Sequence, residues 1–377
     1  MIHKPKVGIL GGGQLGSMLI RSAIDYGINV SVMDADPNAP SSRYTSSFTC
    51  GDPGSYEDVM AFGASLDILT IEKEDVNIEA LKALESSGVK VHPSPAIIEI
   101  IQDKYTQKEF LLSNLFPVVP GILIENRSAL KQHTDKLPGC LKKCKSGYDG
   151  YGVMMIHTTE DISKAFEEPS VLEDLVAVKH EISVIVSRNE AGAVRCYDPV
   201  MMVFNKERFV LDFQVCPANI PVELSIEASG IAIRIAEALG LVGILAVEMF
   251  ITEDGKLLVN ELAPRAHNSG HHTIEASVTS QYEQQLRAIL GLAPGDTKLT
   301  GSSVMINILE PSGDRIEAMH QALKELLEIE SLHMHWYGKK SGRPGRKVGH
   351  ITISDPTMEG AISKAAKARH ILKNINE

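Results

Sequence analysis

Apolar and polar positions alternate regularly in the N-terminal part of the chain. Four short apolar runs have the length of strands: KVGIL, INVSVMD, DILTI and KVHPS. Two stretches between them have apolar residues at helical spacing: LGSMLIRSAIDYG and IEALKALESSG. Helices that alternate with buried strands form βαβ units, whose strands run parallel. The pattern predicts an α/β, Rossmann-like domain with an open parallel sheet over residues 1–98.

The pattern is different in the rest of the chain. A helix through DKYTQKEFLLSNL is followed by strand-like pieces around a glycine-rich turn, SGYDGYG, and by a helix over SIEASGIAIRIAEALG. Further on, the alternating segments SLHMHWY and VGHITIS precede a closing helix. This order predicts an α+β domain over residues 99–295, with a smaller subdomain at about 115–180, and a small β-rich domain over residues 296–377.

Composition narrows the class of protein. A chain that is 44% hydrophobic and 23% charged is typical of a soluble globular protein. No apolar run approaches the roughly 20 residues of a membrane span, and the start MIHKPKVGIL has too short an apolar stretch for a signal peptide. The net charge of −11 argues against general nucleic-acid binding, and the odd number of cysteines against a disulfide framework. We therefore expect a cytoplasmic enzyme.

A glycine-rich turn, GGGQLG, joins the first strand to the first helix. Gly11, Gly13 and Gly16 have the spacing of a dinucleotide-binding fingerprint, and Asp34 ends the next strand. The glycines would let the backbone approach a phosphate or a ribose at the helix N-terminus. NAD or FAD, another small ligand and a purely structural turn all fit this segment. An NAD-dependent oxidoreductase is therefore one alternative.

Two glutamates lie on strand-like segments on either side of EDGK. Asp-Gly at the centre predicts a two-residue hairpin turn, which would place Glu253 opposite Lys256 and Glu248 opposite Glu261. Carboxylates directly opposite each other have Cβ atoms roughly 4.5–5.5 Å apart and must be neutralised. Because Mg²⁺ typically takes one or two carboxylates plus substrate phosphates, we interpret the pair as a magnesium-nucleotide site. A partly exposed hairpin with solvated glutamates is the alternative.

The run NELAPRAHNSGHH continues from the second glutamate. Arg265 presents a planar guanidinium that suits bicarbonate, carboxylate or phosphate. His267, His271 and His272 are compatible with a zinc site, with a polar loop or with contacts to an anionic substrate. We favour the substrate contacts, because a magnesium site is predicted next to the run.

Two loops are candidates for anion binding. One is a basic segment without acidic residues: Lys339, Lys340, Arg343, Arg346 and Lys347. In an acidic chain it indicates a phosphorylated small molecule, with a solvated surface loop as the alternative. The other is SGYDGYG, whose backbone N–H groups could close over phosphates. It lacks the Gly-Lys-Ser/Thr ending of a Walker loop.

Together these segments resemble the ATP-grasp superfamily, and within it the N5-carboxyaminoimidazole ribonucleotide synthetases. The resemblance covers nearly the whole chain in order: GILGGGQLG, DKYTQK, GYDG, AVEMF, NELAPRAHNSGHH and HWYGKKSGRPGRKVGH. It implies an ATP-grasp fold and a homodimeric enzyme of de novo purine biosynthesis that uses Mg²⁺, or Mn²⁺. Such enzymes convert ATP, bicarbonate and 5-aminoimidazole ribonucleotide into N5-carboxyaminoimidazole ribonucleotide, ADP and phosphate, through carboxyphosphate.

The resemblance also implies roles for particular residues. The implied ATP contacts are Lys104, Lys142, Glu173 and Glu181, and the implied metal ligands are Glu248 and Glu261. Bicarbonate and carboxyphosphate would contact Arg265, His267 and Asn268. The aminoimidazole nucleotide would contact Gln14, Leu15 and Glu72, and its phosphate Tyr148, Asp149, Lys339, Arg346 and Lys347. The smaller subdomain, at about residues 115–180, would act as a lid over the site, and this lid would include Ser146, Gly147 and Gly150.

Two positions depart from the family pattern. Ser146 replaces a glycine, and Tyr151 replaces an arginine that would contact phosphate, for which Arg343 or Lys340 is a candidate replacement. Neither departure affects the metal or ATP positions. The GGGQLG and RPGRKVGH segments argue against a formate-dependent glycinamide ribonucleotide transformylase. An oxidoreductase leaves the carboxylate pair and the basic segment unexplained, and a non-catalytic nucleotide-binding protein leaves a competent set of ATP and metal positions unexplained.

Overall fold

A computed structural model of the chain describes residues 4–147, 152–204, 211–311, 315–340 and 344–376. The N-terminal part contains a parallel sheet with strands β1 (Val7–Leu10), β2 (Val30–Asp34), β3 (Ser47–Cys50), β4 (Ile68–Ile71) and β5 (Lys90–His92). The strand order is β3-β2-β1-β4-β5. The accompanying helices are α1 (Gln14–Asp25), α2 (Tyr56–Gly63), α3 (Ile78–Ser86) and α4 (Pro95–Ile101). The predicted parallel sheet is confirmed.

Both faces of this sheet are covered because its strands are apolar on both sides. Ile9 and Val32 pack with α1 on one face, and Leu10 and Leu69 pack with α2 and α3 on the other. A parallel sheet covered by helices on both faces has near-continuous apolar strands. The carboxyl ends of β1 and β4 lead directly to the glycine-rich turn and to Glu72.

A small antiparallel sheet follows. Its strands are β6 (Gly121–Ile124), β7 (Gly139–Lys143), β8 (Val153–Ile156) and β9 (Ser170–Asp174), in the order β6-β9-β7-β8. Two helices accompany it, α5 (Lys104–Ser113) and α6 (Arg127–Leu130). Asp103 caps α5 by accepting hydrogen bonds from two backbone N–H groups of its first turn. This cap fixes the start of α5 and therefore the position of Lys104.

The largest sheet is antiparallel and extends to the C-terminal part of the chain. Its strands are β10 (Val178–Arg188), β11 (Val194–Cys196), β12 (Val200–Phe204), β13 (Leu211–Cys216), β14 (Gly243–Thr252), β15 (Leu257–Ala263), β16 (Ser302–Leu309), β17 (Leu332–Trp336) and β18 (Lys347–Asp355). The order is β15-β14-β10-β12-β13-β16-β18-β17, and β11 pairs with β10. The remaining helices are α7 (Val222–Ala238), α8 (Thr273–Ala276), α9 (Gln281–Ile289), α10 (Ile316–Leu326) and α11 (Met358–Asn376).

The C-terminal strands are continuous with the central ones. β13 pairs with β16, and Phe213 lies opposite Ile306. α7 packs on β10 and β14 through a core that includes Ile231, Ile235 and Val184. Among the described residues, no helix has the length and apolar content that crossing a membrane requires.

Candidate active site

The hairpin of β14 and β15 brings Glu248 directly opposite Glu261, as predicted. The turn itself differs from the prediction. Thr252, rather than Glu253, pairs with Lys256, through an N–H···O bond of 2.9 Å. The loop therefore has three residues rather than two. Such loops end in a residue in the left-handed region, which here is Gly255 with φ +81°.

A β-bulge restores the predicted pairing of the glutamates. Met249 pairs with Val259 but Glu248 pairs with Glu261, so Asn260 is the extra residue on β15. Bulges redirect side chains next to active sites. Here the Asn260 amide Oδ1 accepts a hydrogen bond from Lys142 Nζ at 2.8 Å.

The glutamate pair is part of a wider group of carboxylates. Glu181 on β10 lies opposite Phe250, so it shares a face with Glu248 two residues along β14. Burial, together with the neighbouring carboxylates of Glu261 and Glu181, raises the pKa of Glu248 to about 8. Burial also raises the pKa of Glu181. A site that disfavours the ionised form of its own carboxyl groups is one that a cation would stabilise.

Basic side chains from neighbouring elements approach these carboxylates. Lys104 on α5 forms an ion pair with Glu261. His267 Nε2 lies 3.3 Å from Glu248 Oε1. Among the described residues, no group of three or more His, Cys, Asp or Glu is arranged to hold a metal ion. The donor set fits Mg²⁺, which one or two carboxylates bind together with substrate phosphates.

A buried ion-pair network connects the small sheet to α5. Glu173 on β9 contacts Lys142 Nζ at 2.7 Å and Lys108 Nζ at 2.8 Å. The side chains of Lys108 and Glu173 are each only 7% exposed. Burial would raise the pKa of Glu173, but the two lysines outweigh burial and lower it. Burial would likewise lower the pKa of Lys142. The negative charge of Glu173 outweighs burial, so the pKa of Lys142 is raised.

Lys108 is a residue that the sequence reasoning missed. Its ammonium group also donates to the backbone oxygen of Val119 at 2.7 Å. The available signal was the spacing of Lys104 and Lys108, four residues apart in DKYTQK, which places both on one face of α5.

Arg265 and His267 lie just beyond β15. Arg265 Nε is 2.8 Å from Glu74 Oε1, and this ion pair links the segment NELAPRAHNSGHH to the N-terminal part of the chain. Gln281 fixes the backbone of His267 on both sides: its Oε1 accepts from His267 N at 2.9 Å and its Nε2 donates to His267 O at 2.8 Å. Asn268 begins a short 3₁₀ turn and is half-buried. Of these three predicted residues, the structure places His267 beside Glu248 and Arg265 beside Glu74.

The glycine-rich turn is filled by the protein's own carboxylates. Gly12 N donates to Asp34 Oδ2 at 2.7 Å, and Leu15 N donates to Glu72 Oε1 at 3.2 Å. A Cβ on Gly13 would lie 2.2 Å from Glu72 Oε1. The glycine therefore makes room for Glu72, and backbone N–H groups that a dinucleotide would need are engaged. This arrangement argues against the oxidoreductase.

Glu72 connects the turn to the other predicted residues. Leu15, Glu72 and Arg265 line one small cavity, and Gln14 lies next to it at the start of α1. Burial raises the pKa of Glu72, although Arg265 and Lys339 are close enough to oppose the rise. Two predicted nucleotide contacts, Leu15 and Glu72, therefore lie around the same small cavity as one predicted bicarbonate contact, Arg265.

Four cations of the basic segment are described: Lys339, Lys340, Arg346 and Lys347. Lys339 Nζ lies 5.4 Å from the ring centroid of Tyr337, and Arg346 Nη1 donates to the Lys340 backbone oxygen at 3.2 Å. Ser146 and Gly147 follow β7, and Ser146 has a φ of +62°, a conformation that favours glycine. Other predicted positions lie outside the described residues: Tyr148, Asp149, Gly150, Tyr151 and Arg343.

His271 and His272 do not face the carboxylates. Both are 1% exposed, and burial holds the pKa of His271 well below its usual value and lowers that of His272 to about 4. His272 Nδ1 is 3.0 Å from the Ser269 backbone oxygen, and His271 Nδ1 is 2.9 Å from the Tyr282 hydroxyl. The zinc alternative is wrong, since no metal-binding group of histidines forms within the described part of the chain.

A carboxylate hairpin, lysines from α5 and a small antiparallel sheet, and a preceding parallel sheet together define an ATP-grasp enzyme. Family models match in the same order: a ribonucleotide synthetase preATP-grasp domain over residues 4–102, an ATP-grasp domain over 109–282, and a phosphoribosylaminoimidazole carboxylase C-terminal domain over 303–364. The N5-carboxyaminoimidazole ribonucleotide synthase of Bacillus subtilis is 36% identical over 353 residues, covering 92% of this chain and 90% of that protein. The chain belongs to the N5-carboxyaminoimidazole ribonucleotide synthase family.

Solved structures agree with this assignment. The N5-carboxyaminoimidazole ribonucleotide synthetase of Thermotoga maritima is 38% identical, with a TM-score of 0.88 over 97% of this chain and 98% of that one. The Aspergillus clavatus enzyme, solved with ADP and 5-aminoimidazole ribonucleotide, is 31% identical, with a TM-score of 0.91 over 99% of this chain and 100% of that one. The phosphoribosylaminoimidazole carboxylase of Candida glabrata is longer: the chain spans 64% of its length, at 37% identity.

Proposed function

We propose that the chain is an ATP-dependent carbon–nitrogen ligase that carboxylates 5-aminoimidazole ribonucleotide with bicarbonate, releasing ADP and phosphate. The main support is the arrangement of the site. The Glu248–Glu261 pair lies beside His267 and Lys104, and Arg265, which follows on the same segment, contacts Glu74 just after the N-terminal strand β4. Family membership supports the identity of the acceptor, because an Aspergillus relative was solved with that nucleotide.

On the ATP side, Glu248 and Glu261 would hold Mg²⁺, or Mn²⁺. When bound, the ion neutralises charge on the phosphate oxygens. Lys104 and Lys142 bring ammonium groups to the same strands, where they would contact the phosphates. Glu181, on the neighbouring strand, would hold the ribose. The segment that contains Glu173 would line the adenine pocket, and the ion pairs of Glu173 fix the position of Lys142.

On the bicarbonate side, Arg265, His267 and Asn268 would bind the anion. A bicarbonate oxygen attacks the γ-phosphorus, the bond to ADP breaks, and carboxyphosphate forms. Carboxyphosphate then splits into CO₂ and phosphate. The exocyclic amine forms a bond to the CO₂ carbon and loses a proton, which gives the carboxyamino product. The fixed positive charge of Arg265 favours each anionic species, and burial strengthens this effect.

On the acceptor side, Gln14, Leu15 and Glu72 would contact the aminoimidazole nucleotide. Lys339, Arg346 and Lys347 would bind its phosphate, together with the predicted Tyr148 and Asp149. Closure of the segment that contains Ser146, Gly147 and Gly150 would exclude water from carboxyphosphate, which water would otherwise hydrolyse.

The test is ADP release by the purified protein with Mg-ATP and labelled bicarbonate, with and without 5-aminoimidazole ribonucleotide. We expect release that depends on the nucleotide, with the label appearing in an acid-labile product. ADP release that is indifferent to the nucleotide would refute the acceptor. The same nucleotide dependence would show that Tyr151 is a tolerated replacement for the family arginine.

We also propose that the enzyme is a cytoplasmic homodimer. All five cysteines are free thiols, which a reducing compartment maintains. Light scattering on the purified protein would give twice the mass of the 41.0 kDa chain if the dimer forms. A mass equal to one chain would contradict it.

A further inference from the structure

Three imidazole rings pack in a row outside the carboxylate site, one pair stacked and the other tilted. His335 on β17 and His350 on β18 have ring centroids 4.4 Å apart and planes 11° apart. On its other side His350 faces His271, with centroids 4.5 Å apart and planes 31° apart. His350 and His271 are 0% and 1% exposed. We refer to His335, His350 and His271 as the imidazole stack.

Polar contacts fix each ring of the imidazole stack. His335 Nε2 is 2.6 Å from Glu275 Oε1, and its Nδ1 is 3.2 Å from Arg21 Nη1. The Tyr337 hydroxyl lies 2.8 Å from His350 Nδ1. The Tyr282 hydroxyl lies 2.9 Å from His271 Nδ1. Burial and the neighbouring cations hold the pKa values of His350 and His271 well below the ordinary value, so both rings are neutral.

The imidazole stack lies between two parts of the proposed site. His335 on β17 and His350 on β18 are directly opposite each other, and the described basic residues Lys339, Lys340 and Arg346 lie between the two strands in the sequence. His271 is four residues after His267, and its ring shares Gln281 with the backbone of His267. A change in the position of either strand would therefore be transmitted through packed rings to the backbone that carries His267.

We propose that His350 is a positioning residue that holds Lys339, Arg346 and Lys347 at a set distance from Arg265 and His267 by packing between His335 and His271. This rests on the proposed function, in which the basic segment binds the acceptor's phosphate and Arg265 and His267 bind bicarbonate. The amine must meet CO₂ where carboxyphosphate breaks, and small misplacements of reacting groups are costly. Loss of the stack should let CO₂ escape after ATP has been consumed.

Two variants remove a ring while keeping its polar contact. His350→Asn retains an amide where Nδ1 meets Tyr337, and His335→Gln retains one where Nε2 meets Glu275. His333→Gln is the matched control, since His333 is an exposed residue of the same strand. For the first two we expect the KM for 5-aminoimidazole ribonucleotide to rise about tenfold. The ADP formed per carboxylated product should also rise, while the KM for ATP stays unchanged and the control matches the wild type.

His350→Phe separates stacking from stability. It retains an aromatic ring but leaves the Tyr337 hydroxyl without its partner. We expect a ratio of ADP to product closer to that of the wild type than in His350→Asn, even if thermal unfolding occurs at a lower temperature. If His350→Asn does not fold, His335→Gln tests the proposal instead, because His335 is at the partly exposed end of the imidazole stack.

The proposal is overturned if the ratio of ADP to product and the nucleotide KM match the wild type in the ring-removing variants. It is also overturned if the KM values for ATP and the nucleotide rise together, in proportion to lost stability. A wild-type protein whose ADP release ignores the nucleotide would instead refute the proposed function. The two failures are therefore distinguishable.

Discussion

The two halves of NELAPRAHNSGHH contain similar residues in opposite environments. Asn260, Glu261 and His267 are half-buried and lie among charged groups. His271 and His272 are buried and neutral, bonded to a hydroxyl and a backbone oxygen. The first half is suited to binding ions, because its charges are incompletely compensated. The second half is suited to holding elements in place, because it is buried and its hydrogen bonds go to fixed neutral partners.

This difference shows that environment, rather than residue type, decides what a polar side chain does. His267 and His271 are four residues apart, yet only His267 lies next to a carboxylate of the proposed metal site. A substitution in the first half should therefore reduce activity more than stability. A substitution in the second half should reduce stability more than activity, or should raise the amount of ADP formed per carboxylated product.

Glu248→Gln and Glu261→Gln should have the largest effect. We expect kcat for ADP release to fall about 10²–10³-fold, because the phosphates lose a positioned cation. The fold should tolerate Glu248→Gln, since the Glu248 carboxyl, with a pKa of about 8, is mostly protonated at neutral pH without metal. Steady-state assays and thermal unfolding of the same preparations would check this. Glu253→Gln, in the exposed turn, is the control.

Lys108→Met should have the next largest effect, on stability. It removes one of two lysines from a carboxylate that is 7% exposed, and breaking a buried pair from one side costs about 3–5 kcal/mol. Lys143→Met breaks an exposed pair with Glu168 and should cost about 0–1 kcal/mol. Denaturant unfolding of both variants measures the difference. Equal costs would show that Glu173 does not need its second lysine.

Acid should weaken the fold through the buried histidines. The folded-state pKa of His272 is about 4, below the ordinary 6.5, so between these values the unfolded chain binds a proton that the folded protein does not. The contribution is full above pH 6.5 and is lost as the pH falls to 4, about 3 kcal/mol in all. His272→Gln should have a shallower dependence of unfolding temperature on pH over this window. An unchanged slope would contradict the burial argument.

Asn260→Ala should have the smallest effect. It removes one hydrogen bond to Lys142 but leaves the Glu173 ion pair that also fixes this lysine. A hydrogen bond to a charged group is worth about 1.5–3 kcal/mol, and the remaining ion pair should keep the loss at the lower end of this range, so we expect the KM for ATP to rise about tenfold with kcat little changed. A drop in kcat as large as that of Glu261→Gln would mean that the bulge, rather than the pair, organises the site.

Much of the fold and part of the site could be predicted from local patterns. The parallel sheet follows from the alternation of apolar runs and amphipathic stretches, and the Glu248–Glu261 pair from strands flanking Asp-Gly. The turn was predicted one residue too short, and the pairing is nevertheless as predicted because the bulge at Asn260 compensates. The bulge itself was not predicted, because the pattern of apolar residues does not mark Asn260 as an extra residue.

The remaining features depend on contacts between distant segments. Spacing places Lys108 on the same face of α5 as Lys104, but it does not reveal the partner of Lys108, Glu173, which is 65 residues further along the chain. The pairing of β13 with β16 likewise joins the C-terminal strands to the central sheet without any local signal. His271 is buried against Tyr282 and against His350, which is distant in the sequence. These contacts give His271 its role, and the residue type alone did not predict them.

Mn²⁺ binding in the presence of ADP is the most direct test of the carboxylate pair, with paramagnetic resonance reporting the free ion. We predict that wild type and Glu253→Gln bind the ion with equal affinity. Glu248→Gln and Glu261→Gln should each bind it about tenfold or more weakly, since each removes an anionic oxygen ligand. Unchanged affinity in both pair variants would contradict the account, and would place the metal, and with it the phosphates, elsewhere in the molecule.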